Sequence, residues 1–469
     1  MSGTPAILAC APGTPPALDP GFRPAALATR EMKRLVKASC KAVLVGIAIE
    51  QADGSVFQFS TEVLPEEHPA ASSNALHVER FVKFLLWSRG GHKVYVQGPK
   101  TVADQLRAHY TDTPAGRFDA EIMGSRIYEK PFEIVHTATL PAAHEATMPL
   151  GRHLEGCRIG FDLGASDRKA AAVIDGTVVF SEEVPWDPVK QTDPRYHFDQ
   201  MMDMLRSAAK HLPRVDAIGG SAAGVYVNNR VKVASLFRGI PKENFAQAKN
   251  VFLDLKKEWN NVPFEVVNDG EVTALAGSMS LNDTAVLGIA LGSSQAGGYC
   301  TRDGKITSWL NELAFVPVDY NPQAAVDEWS GDYGCGVQYF SQQCVGRLLK
   351  PAGIEVDPAL SLPEKLIHVQ NLMKKNDPRA RRIFETIGTY LGYAVAHYAG
   401  FYDIKNVLIL GRVTSGDGGA VIIEFAKDAL RTEFPELFDR MKFNTPDERD
   451  KRHGQAIAAA SLPVVPRKQ

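Results

Sequence analysis

The order of apolar and polar residues gives most of the chain a repeating pattern. From about residue 157 onward, short apolar runs that end in glycine alternate with longer stretches whose apolar residues recur at helical spacing. This alternation is typical of α/β folds, in which helices cover the sheets. The predicted strands are 158–163, 169–174, 177–183, 216–219, 264–267, 284–291 and 406–410, and the predicted helices are 197–210, 245–259, 378–399 and 420–432.

The N-terminal part has a different pattern. Residues 1–25 are rich in Pro, Ala and Gly without periodicity, which predicts a loose arm or an extended packing strand. Beyond them, residues 33–150 predict a compact α/β unit without a recognisable chemical constellation. Its predicted elements are a hairpin of strands 42–50 and 55–63, a helix at 77–87, a strand at 93–97 and a helix at 101–110.

Two segments of equal length repeat one another. IGFDLGASDRKAAAVIDG at 159–176 and LGIALGSSQAGGYCTRDG at 287–304 share a Leu-Gly pair, the Ser that follows it and the terminal Asp-Gly. Each predicts a strand, a tight turn and a second strand, so we expect two similar lobes. With two or three domains expected for 469 residues, we divide the chain into an N-terminal α/β domain at 1–155, a first lobe at 156–280 and a second lobe at 281–469.

Composition narrows the functional classes. The formal net charge of −2 includes no basic block, which argues against nucleic-acid binding. The six cysteines are scattered without a CxxC pair, which favours reduced thiols. Neither a signal sequence nor an apolar run of membrane-spanning length is present, so we expect a soluble, cytoplasmic protein with no membrane partner.

The two glycine-rich turns have the composition of a phosphate cradle. The first contains Gly164 and Ser166, and the second contains Gly292, Ser293 and Ser294. Glycine allows backbone amides to approach phosphate oxygens, and serine hydroxyls add hydrogen-bond donors. Either turn alone could be an ordinary hairpin turn. As a matched pair they predict a binding site for a nucleotide triphosphate such as ATP.

A carboxylate accompanies only the first turn. Asp162 precedes it, whereas the second copy carries Ala290 at the matching position. A single carboxylate beside a phosphate cradle suits Mg²⁺, usually bound through water. We therefore predict Asp162 as the magnesium-site residue.

Two further strand ends carry candidate site residues. Asn268 and Asp269 follow a predicted buried strand and open a helix. Asp269 could accept the proton of an attacking hydroxyl, or it could simply cap the helix, and the sequence does not choose between these. Near the C-terminus, Gly411 and Gly416 lie in a strand-to-helix turn that suits the adenosine and α-phosphate of a nucleotide, although such turns are common.

With these four elements in order, residues 157–462 resemble the ROK family of sugar kinases and related repressors, within the actin/hexokinase superfamily. IGFDLGASD and GIALGSSQAGGY resemble the two phosphate motifs, VVNDGEVTALAG the catalytic segment and LGRVTSGDGG the adenosine motif. The resemblance implies a two-lobed actin/hexokinase-like (ribonuclease H-like) ATPase fold, here with an extra N-terminal α/β domain, and we expect a homodimer. The site residues that it implies are Asp269 as base, Asn268 and Glu312 as sugar-hydroxyl ligands, a substrate-side loop with Ser221 and Gly224, and Asp162 near the magnesium.

The chain departs from this family at three places. Phe315 stands where the family has a zinc-binding histidine, and Glu328 and Ser330 replace two zinc-binding cysteines, which leaves Cys335 alone. One thiol cannot build a structural zinc site, so we predict none and expect aromatic packing by Phe315, Trp329 and Tyr333 instead. Asp167 follows the first turn, where Arg168 or Lys169 could offset its charge, but strand alternation lets only one of them share its face.

Taken together, the sequence predicts ATP-dependent phosphorylation of a hydroxyl on a sugar or sugar-like molecule. The alternative is a ligand-sensing or regulatory protein that uses the same fold without catalysis. A DNA-binding version is disfavoured, because residues 33–150 contain strands and are not basic. The N-terminal unit could cap the cleft, form a dimer interface or bind a regulator.

Overall fold

The computed structural model describes residues 4–145, 150–445 and 448–466, and in the last range it describes side chains from Gly454 onward. Within these ranges every helix is either too short or too polar to span a bilayer. Three main sheets and one two-stranded sheet organise the described residues.

The first sheet lies in the N-terminal part and has the strand order β2-β1-β3-β4. The predicted hairpin is confirmed, because β1 and β2 pair antiparallel with Val43 opposite Val63. The elements are α1 Ala25–Ser39, β1 Val43–Glu50, β2 Val56–Val63, α2 Ser73–Arg89, β3 Lys93–Gln97, α3 Lys100–Asp112, α4 Pro114–Glu121 and β4 Glu133–His136.

The second sheet has the order β11-β8-β5-β6-β7, in which β5, β8 and β11 are parallel. The helix predicted at 245–259 is two helices, because the backbone leaves helical geometry at Asn250. The elements are β5 Cys157–Leu163, β6 Asp167–Ile174, β7 Thr177–Pro185, α5 Pro194–Ala209, β8 Ala217–Ala222, β9 Val225–Val227, β10 Arg230–Val233, α6 Phe245–Lys249, α7 Val251–Glu258, β11 Phe264–Asn268 and α8 Asp269–Ser280.

The third sheet has the order β13-β12-β14-β15. The predicted start of α11 is confirmed, since the Asp377 side chain accepts a hydrogen bond from the amide of Arg379 and Pro378 follows the cap. The elements are β12 Val286–Leu291, β13 Gln295–Cys300, α9 Gln342–Leu348, α10 Leu362–Lys374, α11 Pro378–Tyr398, β14 Asn406–Leu410, α12 Asp417–Glu433, α13 Pro435–Phe438, β15 Lys442–Asn444 and α14 Glu448–Ala460.

The sequence repeat corresponds to a repeat of topology. In the second sheet the β5–β6 hairpin is followed by parallel strands β8 and β11, and in the third the β12–β13 hairpin is followed by parallel strands β14 and β15. The first copy continues its hairpin into β7, whereas the second has a single bridge between Cys300 and Ile306. Both glycine-rich turns therefore connect the two strands of equivalent hairpins.

The last helix packs on the sheet of the first lobe, which corrects its assignment to the second. A Cβ atom at Gly160 of β5 would lie 1.8 Å from the carbonyl oxygen of Ala456, and one at Gly219 of β8 would lie 1.7 Å from that of Ala459. Glycines on the sheet and alanines on the helix allow this close approach. The chain thus returns to the second sheet after completing the third.

In the part of the chain that the structure describes, the N-terminal unit shares its largest core with the second lobe. One buried apolar cluster contains Val45 and Phe84 from this unit together with Ile289 and Tyr398 from the third sheet and its helices. Phe84 and Tyr398 have ring centroids 5.8 Å apart. The unit and the second lobe are therefore packed as one body around a shared core, which differs from the separate compact unit that we expected.

Candidate active site

Three candidate residues meet at one edge of the second sheet. Because β5, β8 and β11 are parallel, their carboxyl ends lie together, as is usual for ligand sites in α/β sheets. Asp162 is paired in register with Ser221, and Ala222 with Asn268. The Ser221 hydroxyl is buried and donates a 2.7 Å hydrogen bond to Asp162. Ser221 thus contacts the predicted magnesium-site residue, although we had grouped it with the substrate loop.

Asn268, and not Asp269, caps α8. Its side-chain oxygen accepts a hydrogen bond of 2.7 Å from the amide of Gly270, and its amide donates one of 2.8 Å to the carbonyl of Gly224. Asn268 therefore joins the helix start to the loop after β8. One carboxylate oxygen of Asp269 accepts a 3.0 Å bond from the same Gly270 amide. The hydrogen bond at the helix start thus uses only one carboxylate oxygen of Asp269 and does not involve the second.

Asp269 and Glu312 are half-buried carboxylates with raised pKa values. Desolvation, and then the negative charge of Asp162, raises the pKa of Asp269 to about 6. Desolvation, and then the negative charge of Asp269, raises the pKa of Glu312 to about 7. The structure thus brings together Asp162, Asp269 and Glu312, which are far apart in sequence. Carboxyl groups that perturb one another in this way are typical of functional sites.

Tyr226 is a member of this site that sequence reasoning missed. It lies in β9, and its hydroxyl donates a 2.9 Å hydrogen bond to the carbonyl of Ala223. Burial, and then the charges of Asp269 and Glu312, raises its pKa well above the usual value. Its position just after Gly224 of the predicted substrate loop was the one available signal.

Glu271 is buried in the first turn of α8. Burial raises the pKa of Glu271 to about 8, so that it carries a proton at neutral pH. The side-chain amide of Asn311 donates a hydrogen bond to Glu271. Glu271 is therefore largely uncharged at neutral pH and is held by Asn311.

Helix α2 of the N-terminal unit contacts the segment that contains Glu312. The amide of Glu312 donates a 2.9 Å hydrogen bond to the carbonyl of Trp87, and the amide of Asn311 donates one of 3.0 Å to that of Ser88. Asn311 has a positive φ of 50°, a conformation that asparagine tolerates better than most residues. Sequence reasoning gave α2 no role at this site.

At the first glycine-rich turn, neighbouring groups offset the negative charge of Asp167. Gly164 donates a 3.0 Å hydrogen bond to the carbonyl of Asp167, and the Ser166 hydroxyl donates one of 2.9 Å to its carboxylate. Lys169 lies 3.5 Å from that carboxylate, whereas Arg168 is buried on the other face. Lys169 is therefore the residue that offsets the charge of Asp167.

The second turn is closed in a similar way. The amide of Gly292 donates a 2.9 Å hydrogen bond to the carbonyl of Ser294, and the side chains of Ser293 and Ser294 are exposed. Gly411 follows β14 with φ of 104°, and a Cβ atom there would lie 2.4 Å from the carbonyl oxygen of Leu291. Gly416, with φ of 70°, precedes α12 in open space. Backbone amides and exposed hydroxyls are thus available at both predicted nucleotide segments.

The region of the expected zinc motif is filled by aromatic rings. Phe315 stacks on Trp87 with centroids 4.2 Å apart and lies 5.5 Å from Trp329. Tyr333 lies under the guanidinium of Arg80 at 4.6 Å. Among the described residues, no cluster of three His, Cys, Asp or Glu side chains is placed to bind a metal. The residues present do not fit a zinc ion, because burial raises the pKa of the single thiol, Cys335, to about 12.

Comparisons with known proteins are informative at the level of structure. No protein-family model and no curated protein matches the chain. A ROK hexokinase from Thermus thermophilus matches with a TM-score of 0.52 and 18% identity, over 66% of this chain and 97% of its own. A ROK family transcriptional regulator, described as a homologue of the E. coli MLC protein, matches with a TM-score of 0.50 and 18% identity, over 66% of this chain and 79% of its own. The chain therefore has the two-lobed, hexokinase-like α/β fold.

Proposed function

We propose that the protein transfers the γ-phosphoryl group of ATP to a hydroxyl of a sugar or sugar-like small molecule. The observation that carries the proposal is the pair of coupled carboxylates Asp269 and Glu312 beside Asp162, at the carboxyl edge of a parallel sheet. A single buried carboxylate could have a purely structural role. Three half-buried carboxylates, of which Asp269 interacts with both Asp162 and Glu312, are costly to fold, which favours a functional role.

Asp269 is the general base of this proposal. A pKa of about 6 leaves it ionised at neutral pH and makes it a stronger base than an ordinary aspartate. It takes the proton of the acceptor hydroxyl as that oxygen attacks the γ-phosphorus. Asn268 holds the start of α8, and thus Asp269, against the loop at Gly224. This arrangement fixes the base without using its free oxygen.

Glu312 binds the acceptor in this proposal. With a pKa of about 7, it exists at neutral pH as a mixture of carboxylate and carboxylic acid, and it can accept or donate a hydrogen bond to a sugar hydroxyl. Phe315, close to it in sequence, offers no hydrogen bond. The acceptor therefore makes its polar contacts on the Glu312 and Asp269 side.

The nucleotide is held by backbone amides and hydroxyls. The two glycine-rich turns present exposed side chains at Ser166, Ser293 and Ser294, and Gly411 and Gly416 frame the segment for the adenosine and α-phosphate. Lys169 keeps the charge of Asp167 from repelling phosphates. Asp162 keeps a second carboxylate oxygen for a hydrated Mg²⁺, which would neutralise charge on the phosphate oxygens.

The test is an ADP-release assay over hexoses, N-acetylhexosamines, inositols and pentoses, with wild type, Asp269→Asn and the exposed control Asp254→Asn. We expect acceptor-dependent turnover in the wild type and the control, and a loss of about 10²–10⁴-fold in Asp269→Asn. Calorimetric titration with ATP should show that the Asn variant still binds nucleotide. Nucleotide binding without turnover on any acceptor would reject the kinase and favour a ligand-sensing protein with this fold.

A further inference from the structure

Helix α2 of the N-terminal unit contains three buried cations, Arg80, Lys83 and Arg89. The pattern is unusual, because burying a charge is costly unless partners compensate for the lost hydration. All three have such partners. Arg80 pairs with Glu79 of the same helix, and the other partners come from other parts of the chain. The helix is thus cross-linked to its surroundings as well as packed against them.

The first two cations belong to a charge cluster that contains Arg80, Lys83, Asp119 and Asp332. Lys83 Nζ lies 2.7 Å from Asp119 and 3.0 Å from Asp332. The guanidinium of Arg80 donates two hydrogen bonds, of 2.9 and 3.1 Å, to the carboxylate of Asp332. The indole of Trp87 donates a further bond of 3.0 Å to Asp119. The cluster therefore joins α2 to α4 and to the loop at 327–335.

The carboxyl end of the same helix holds the Glu312 segment. The last carbonyls of a helix lack partners within it, and here those of Trp87 and Ser88 accept the amides of Glu312 and Asn311. The Trp87 ring also stacks on Phe315. Two backbone hydrogen bonds and a ring stack thus fix residues 311–315 to α2.

The third cation, Arg89, contacts two aromatic residues beside the same segment. The Arg89 guanidinium lies 3.6 Å from the centre of the Trp309 ring and 4.6 Å from that of Tyr402. The Tyr402 hydroxyl donates a 2.7 Å hydrogen bond to the side-chain oxygen of Asn311. Arg89 therefore contacts both Trp309, two residues before the segment, and the tyrosine that holds the segment.

We propose that the N-terminal unit is a positioning element of the acceptor site. The charge cluster anchors α2, and α2 holds residues 311–315 so that the Glu312 carboxylate faces the acceptor, with Trp87 as the positioning residue. This inference rests on the proposed function, in which Glu312 binds the acceptor. It gives residues 1–155 a role that neither the sequence nor the fold comparison supplied.

The test compares Trp87→Phe and Asp119→Asn with the control Trp259→Phe. Trp87→Phe removes the indole donor and keeps an aromatic ring against Phe315, and Asp119→Asn changes the cluster with little change of volume. Trp259 is a half-buried tryptophan of the first lobe whose indole nitrogen has no hydrogen-bond partner among the described residues. The readouts are hydrogen exchange of the peptide spanning 309–316 and the KM for D-glucose, D-mannose and N-acetyl-D-mannosamine.

We expect faster exchange of this peptide in Trp87→Phe and Asp119→Asn, with acceptor KM values raised up to about tenfold, as for the loss of one buried hydrogen bond. The KM for ATP and both readouts in Trp259→Phe should be unchanged. Unchanged exchange in both test variants would overturn the proposal, and so would faster exchange with unchanged acceptor KM, because α2 would then be only structural. A wild type without turnover would reject the proposed function, while the exchange comparison would still decide whether α2 holds this segment.

Discussion

Asp162 and Asp269 lie on either side of β8, and the negative charge of Asp162 adds to desolvation in raising the pKa of Asp269 to about 6. The Ser221 hydroxyl partly offsets the desolvation of Asp162 itself. The two carboxylates are therefore electrostatically coupled through the sheet edge, and a change at one should be measurable at the other.

The coupling predicts the pH dependence of the reaction. A base must be deprotonated, so kcat/KM should fall about tenfold for each pH unit below about 6. Asp162→Asn removes a neighbouring negative charge and should move this fall in kcat/KM to lower pH, whatever it does to the maximal rate. The measurement is a pH–rate profile of both proteins with the best acceptor. A limb near pH 4 in the wild type would contradict the assignment of Asp269.

The raised pKa of Asp269 also predicts that removing its charge stabilises the protein. A carboxyl whose pKa is raised by folding binds a proton more tightly in the native state, so its contribution to stability falls as pH rises through the window from about 4 to 6. Asp269→Asn should therefore raise the free energy of unfolding at pH 7.5 by about 1–2 kcal/mol after allowance for solvent. Urea denaturation at pH 7.5 and 5 measures this.

The gain should shrink toward pH 5, where the wild-type group is largely protonated. The control Asp254→Asn, on an exposed side chain 2.8 Å from Lys257, should change stability by less than about 0.5 kcal/mol at either pH. A gain that does not depend on pH would show that desolvation of Asp269 is not its origin.

The sequence was informative wherever a local pattern reports a local structure. The alternation of apolar runs predicted the strands, and the repeat predicted the two equivalent hairpins around Gly164 and Gly292. The Asn-Asp pair was predicted to end a strand and open a helix, and β11 and α8 meet at this pair. Each of these features depends on residues close together in the chain, which is why a single sequence contains it.

The parts that the sequence could not predict depend on distant partners. From the sequence alone, Lys83 is typical of a solvated helix face. Only the structure shows that it pairs with Asp119 and Asp332. Trp87 reaches Glu312 across more than two hundred residues. Nothing near either residue in sequence indicates the other, so the shared core of the N-terminal unit and the second lobe was missed.

Removing the central cation of the charge cluster should be strongly destabilising. Although burial alone would lower it, the charges of Asp119 and Asp332 raise the pKa of Lys83 above its usual value, so the side chain is charged. Lys83→Met leaves these carboxylates without their shared cation and should lower the free energy of unfolding by about 3–5 kcal/mol. Chemical denaturation at neutral pH measures the loss.

Lys93→Met is the matched control, because Lys93 forms a 3.1 Å ion pair with Glu133 at the surface. This substitution should lower the free energy of unfolding by less than about 1 kcal/mol, and the loss should disappear in high salt. Equal losses in the two variants would mean that the buried cluster contributes no more than a surface ion pair.

The last helix lies very close to the second sheet, so alanine substitution should have different effects at two strand glycines. Gly219→Ala would place a Cβ atom 1.7 Å from the carbonyl oxygen of Ala459, so the helix must move away from the sheet. Gly288→Ala is the control, because its nearest neighbour, in Ala274, would lie at an ordinary 3.5 Å. We expect Gly219→Ala to cost about 1–3 kcal/mol and Gly288→Ala to be close to neutral, as measured by thermal and urea denaturation. Similar values for both would show that α14 is not held at this distance.

Asn311 combines a left-handed backbone with two side-chain hydrogen bonds, and two substitutions separate these contributions. Asn311→Gly keeps the backbone conformation at φ of 50° and removes the bonds to Glu271 and Tyr402. Asn311→Ala removes the same bonds and adds the cost of a left-handed alanine, about 1–2 kcal/mol. The glycine variant should lose about 1–3 kcal/mol, because buried polar groups are left without partners. The alanine variant should be less stable still, by a difference that reports the backbone alone. Equal stability of the two variants would show that the backbone conformation is not strained for alanine, and a glycine variant as stable as the wild type would show that the amide bonds contribute nothing.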